Sequence, residues 1–149
     1  MKGGDAVVIH SGWLKLHMVN DSLREMALFE GLAGDIPRSL VMFDRVIDAE
    51  QRTGDQVDLR GTLGALAVLF ARTERPEVAA TLIGTSQDIR WPIGLSAARK
   101  HLREVLGEKG FAACAAAGAA LEFPTATVRC VREQITLAQR ERSAEGGAP

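Results

Sequence analysis

The sequence predicts an all-helical protein, on three observations. Apolar residues recur at three- and four-residue spacings and nowhere alternate strictly, which is the period of a helix packed on one side rather than of a strand. Alanine, leucine and valine are abundant, whereas aromatic residues make up 5% and tyrosine is absent, so strong helix formers outnumber strong strand formers. Pro37 and Pro76 stand 39 residues apart, each opening the second of two helical segments joined by a short turn.

The first such pair begins with residues 22–33, where Ser22 and Glu25 have the spacing of a capping box and Leu23, Met26, Ala27 and Leu32 supply the apolar positions. Gly34 and Asp35 form the turn. From Pro37 to Arg52, Leu40, Phe43, Val46 and Ile47 define an apolar face, with Arg38, Asp44, Arg45 and Asp48 on the other positions. So short a connection returns the second helix antiparallel to the first. The second pair starts at Val57 and runs to Thr73. Leu59, Leu63, Leu66 and Phe70 form its main stripe, and Ala65, Ala67, Val68 and Leu69 make it apolar on nearly all sides, so it is expected to be the most buried helix. Pro76 then opens a helix carrying Val78, Ala79, Leu82, Ile83 and Ile89 to about Arg90. The repeat length falls in the range of helical solenoids, and a tetratricopeptide-like stack of antiparallel hairpins over about 22–90 is the expected architecture.

Two hairpins do not cover their own outer faces, so the flanking segments must cap them. Ahead of the first, Ile9, Trp13, Leu16 and Val19 are spaced as a helix that forms the second half of an earlier repeat, with Gly12 interrupting it. Behind the second, Trp91, Pro92, Ile93 and Gly94 break the pattern. A C-terminal helical cap over about 96–140 follows, as helices at Ser96–Leu106, Glu108–Leu121 and Thr125–Arg140. The Ala-rich run Ala112–Ala120 is expected to be wedged between two neighbours in that cap, because small side chains permit close approach on both faces. Residues 1–142 thus form one helical-repeat domain, and the polar, Gly-rich Ser143–Pro149 is expected to be a disordered tail.

The commonest catalytic signatures are absent from the sequence: there is no phosphate loop, no Rossmann glycine fingerprint, no HExxH and no GxSxG. With 18 Lys and Arg against 19 Asp and Glu, the chain has no field to concentrate nucleic acid or anionic lipid. The basic residues around Lys100–Arg103 and at Arg129, Arg132, Arg140 and Arg142 alternate with Glu104, Glu108, Glu133 and Glu141, giving a salt-bridged face rather than a positive stripe. His10 and His17 lack the further ligands a metal site requires, and Asp44 and Asp48, although one helical turn apart, lack a histidine partner. Cys114 and Cys130 are too widely separated for a CxxC motif and are read as reduced thiols, consistent with a cytoplasmic protein. The apolar stretch Ala6–Ile9 is too short for a signal sequence or a membrane span.

From Thr62 onward the chain reads TLGALAVLFARTERPEVAATLIGTSQDIR and then SAARKHLREVLGEKGFAACAAAGAAL. This resembles the C-terminal tetratricopeptide-like region of large actinobacterial-type transcriptional regulators of the LuxR and AfsR-like groups, including ATPase and nucleotide-cyclase-linked members. The matching positions are Ala79, Ala80, Leu82, Ile83 and Gly84, then Leu106, Gly107, Phe111, Ala112, Ala113, Gly118 and Leu121. The pattern departs where Glu122, Phe123, Pro124 and Thr125 replace the family's acidic helix start. Members of those groups carry a nucleotide-binding module and often a helix-turn-helix domain, neither of which is in this sequence. The resemblance therefore implies the scaffold and a role in sensing or intramolecular regulation, without ATP hydrolysis or direct DNA binding.

The expected function is non-catalytic, needs no cofactor, and consists in binding protein, through self-association or a regulatory partner. Trp13, Trp91 and Phe111 are the candidate residues of a partner or ligand surface, since large aromatic side chains both fill cores and anchor interfaces. The alternative is a small-molecule sensor, with the ligand held between the repeats and the C-terminal helices near Trp91 and Phe111. An open groove with exposed apolar residues favours the first reading, and a closed apolar cavity the second.

Overall fold

The computed structural model describes residues 19, 21–85 and 94–146, and all regular structure among them is helical. The helices are α1 (21–32), α2 (Ile36–Thr53), α3 (Gln56–Ala71), α4 (Pro76–Gly84), α5 (Leu95–Ala119) and α6 (Thr125–Gly146).

Local chemistry sets the boundaries of α2 and α3. The Asp35 side chain accepts a hydrogen bond from the Arg38 backbone N–H at 3.2 Å, satisfying a donor that the first turn of α2 leaves free, and Pro37 needs no donor there. At the other end Gly54 adopts φ 71°, and its N–H returns to the carbonyls of Glu50 and Gln51. Asp55 then caps α3 by accepting from Asp58 N at 3.1 Å. Because Asp35 is exposed and its role is confined to the cap, Asp35→Ala is expected to lower unfolding free energy in urea by about 1 kcal/mol with an unchanged slope.

The central element is α3, which packs against α2, α4 and α5. Every residue from Gly61 to Ala71 is buried, in agreement with its apolar surroundings on all sides in the sequence. Leu63, Leu66, Leu69 and Phe70 meet Leu40, Phe43 and Ile47 of α2 and Leu102 of α5 in one continuous core. α4 and α5 pack closely against each other. The break expected between Leu106 and Glu108 is present within α5, where Gly107 takes φ 75° and ψ 163° and divides the helix in two.

Three expectations are corrected. The Ala-rich run has a close neighbour on one side only: Ala112, Ala113, Ala116, Ala117, Ala119 and Ala120 are exposed, while Gly118 lies against the backbone of Thr81. Its small residues serve one close crossing with α4 rather than two. In α1 the buried positions are Arg24, Ala27, Leu28 and Gly31, whereas Met26 and Leu32 face outward. Finally, α6 continues past Arg140 to Gly146, so the start of the expected disordered tail is helical. Glu141, Arg142 and Ala144 are good helix formers, and an ion pair between Glu141 and Arg75 ties that turn to the start of α4.

Cross-links from α6 reach back to α2. Arg132 donates from Nη2 to Gln51 Oε1 at 3.2 Å and lies 3.7 Å from Asp48 and 3.9 Å from Asp44. The carboxylate pair Asp44 and Asp48 is thus engaged by an arginine. The helix expected from Pro76 to about Arg90 is seen as far as Gly84; its remainder falls in 86–93, outside the described residues.

Candidate interaction surface

The buried side of α1 is made of Ala27, Gly31, Leu28 and one arginine, Arg24. Ala27 accepts a hydrogen bond at its carbonyl from Ser39 Oγ of α2 at 2.5 Å, which draws the two helices close together. Leu28 is the large apolar side chain that α1 turns inward, whereas Met26 is 50% and Phe29 69% exposed. Val19, Met26, Phe29 and Ala33 follow one another at helical spacing and form a stripe on the side opposite Ala27, Leu28 and Gly31, with Leu32 at its margin. Exposed apolar stripes of this kind are a common feature of interaction surfaces.

Besides the packing of Ala27 and Leu28 in the core, a polar cluster fastens α1. Glu50 of α2 is 1% exposed, and its Oε1 accepts from Thr62 Oγ1 of α3 at 2.6 Å. Arg24 of α1 is also buried; it donates from Nη2 to Asp21 Oδ1 at 2.9 Å and from Nη1 to the Asp58 carbonyl at 3.3 Å, and Nη1 lies 3.9 Å from Glu50 Oε2. Burial pushes the Glu50 carboxyl from its ordinary 4.5 up to about 7; the Thr62 hydrogen bond and Arg24 pull it down, while Asp58 and Asp55 push it further up. This cluster joins three helices at one point.

The surface grooves among the described residues are open to solvent. A groove of about 750 Å³ runs along α6 between Gln51, Val128, Arg132 and Leu137. Another, of about 650 Å³, lies between the end of α3 and the first half of α5, lined by Val68, Ala98, His101 and Val105. Neither converges several polar groups on an enclosed apolar space, which a small-molecule site requires. No group of three or more His, Cys, Asp or Glu side chains among the described residues is placed to hold a metal ion, and no helix among them is long and apolar enough to cross a membrane. Both cysteines are free and half-buried; burial, with Glu133 adding to it, raises the Cys130 thiol above its usual range.

Of the aromatic residues singled out in the sequence, Trp13 and Trp91 lie outside the described residues. Phe111 is 7% exposed, with Arg103 stacked 5.1 Å above its ring, and belongs to the core rather than to a surface. The sequence reading missed Phe29 because it placed Met26 and Leu32 inward, and missed Glu50 and Arg24 because charged residues at helix positions read as solvent-facing. The available signal was the pair Ala27 and Gly31, small residues four apart that admit a close neighbour. No family model, curated protein or solved structure matches the chain.

Proposed function

We propose that this chain is a non-catalytic, tetratricopeptide-like helical-repeat domain that binds protein, as part of a regulatory system. The observation that carries this reading is the apolar outer stripe of α1, with Phe29 at its centre. The succession of contacts, α2 on α3, α3 on α4, α4 on α5 and α3 on α5, supports stacked hairpins, with α6 returning to α2 to close the stack. The openness of the grooves supports a surface for protein over a pocket for a small ligand. The resemblance of residues 62–121 to the helical region of LuxR and AfsR-like regulators supports the regulatory setting. The free cysteines are consistent with a reducing, cytoplasmic one.

The purified chain is expected to self-associate through this stripe when no other partner is supplied, with a sedimentation mass that rises with concentration. Met26→Ser with Phe29→Ser should shift it to the monomer while changing unfolding free energy by no more than about 0.5 kcal/mol, as befits solvent-facing positions. A double variant that sediments as the wild type does, or that loses its fold, would count against the surface.

A further inference from the structure

The outer stripe of α1 carries negative charge at both margins. Met26, Phe29 and Ala33 stand at i, i+3 and i+7, the spacing by which a helix anchors in a groove. With roughly 3.6 residues per turn, Glu25 and Glu30 fall on opposite sides of that line. Among the described residues of α1 the outer side carries no cation, since Arg24 is buried on the inner one. The groove along α6 has the opposite sign. It is lined by the buried Val128 and the exposed Leu137, with Arg129, Arg132, Arg140 and Glu133 around them. Arg132 is taken up by Asp44, Asp48 and Gln51 of α2, whereas Arg129 and Arg140 are exposed and outnumber Glu133. Among the described residues none of Glu25, Glu30, Arg129 and Arg140 is ion-paired.

We propose that α1 of one copy of this chain lies in the α6 groove of a second copy, with Met26 and Phe29 against Leu137 and the aliphatic stems of the arginines, and Glu25 and Glu30 facing Arg129 and Arg140. This contact rests on the α1 stripe being the binding surface proposed above, and it names the surface that the stripe meets. The chain's own α6 does not cover the stripe, because Phe29 is 69% exposed. Pairing α1 with α1 of a second copy would set acidic margins against acidic margins, which like-charge repulsion disfavours. The two faces are different, so every copy brings one of each, and association either closes into a ring or continues as a chain.

Sedimentation of the full chain separates these arrangements. Arg129→Glu with Arg140→Glu alters exposed positions, and should leave helix content unchanged while weakening self-association by more than about tenfold. That variant keeps the stripe, and Met26→Ser with Phe29→Ser keeps the groove, so an equimolar mixture of the two otherwise monomeric chains should sediment as a species of two chains. Adding Glu25→Arg and Glu30→Arg to the groove variant should restore its association. In the wild type, raising salt from about 0.05 M to about 0.5 M should weaken association by more than about tenfold. A groove variant that associates as the wild type does, a mixture that stays at the mass of one chain, or wild-type association indifferent to salt would overturn the groove as the receptor; the stripe still stands if the serine variant alone is monomeric. A serine variant that associates normally removes the stripe and this contact together. Should the groove variant lose its helix content, the salt response of the wild type decides.

Discussion

Gly118→Ala is expected to lower unfolding free energy by about 2 kcal/mol, although alanine is by about 1 kcal/mol the better helix residue. A Cβ at that position would lie 1.9 Å from the Thr81 carbonyl oxygen, and one at Gly84 would lie 1.9 Å from that of Ala115. Both obstacles are backbone, which no rotamer change can move, so α4 and α5 would have to separate along their whole contact. Gly110→Ala is the control, since its Cβ would meet only the Leu106 side chain at 3.4 Å, and it should be neutral or stabilising. Because either substitution alone pushes the helices apart, combining Gly84→Ala with Gly118→Ala should cost less than the two single losses added. Chemical unfolding that ranks Gly118→Ala with Gly110→Ala would show that the helices do not cross this closely.

The second large effect is expected at the centre of α3. Leu66 is completely buried among Leu, Val and Phe side chains drawn from the helices around it. Leu66→Ala should therefore cost about 2 to 5 kcal/mol, since the lost transfer energy is joined by that of a cavity its neighbours can only partly fill. Val57→Ala, at the second residue of the same helix and 68% exposed, should change stability by less than about 0.5 kcal/mol. Equal losses at the two positions would refute the assignment of α3 as the core element.

Helix positions were legible where one face alone is apolar or where a residue forces a boundary. Pro37, Pro76 and Gly107 mark boundaries in the structure close to those they mark in the sequence, and α3 was recognisable as central because polar residues vanish from it after Asp58, Arg60 and Thr62. The orientation of α1 was not legible. With apolar residues on nearly all sides, periodicity cannot choose between Met26 and Leu28, and the choice falls to Ala27 and Gly31, which let α1 approach α2 and α3. The Ala-rich run misled for a related reason. Small residues indicate that a close approach is possible, but the number of neighbours is decided by the path of the chain around them. Glu50 was hidden because its burial depends on Thr62 and Arg24 arriving from two other helices, a coincidence that no local pattern records.

The return of α6 to α2 makes a closed circuit of helices. From α2 the chain passes to α3 and α4, and the bonds of Arg132 to Gln51, Asp44 and Asp48, with those of Arg75 to Gln134 and Glu141, lead back through α6 to the start. An open array can peel from its ends one hairpin at a time, because each unit answers only to its neighbours. A circuit has no end to peel from: releasing any member breaks two contacts, and for α2 and α6 one of the two joins residues 81 positions apart. α2, α3, α4 and α6 are thus bound to persist or fail together.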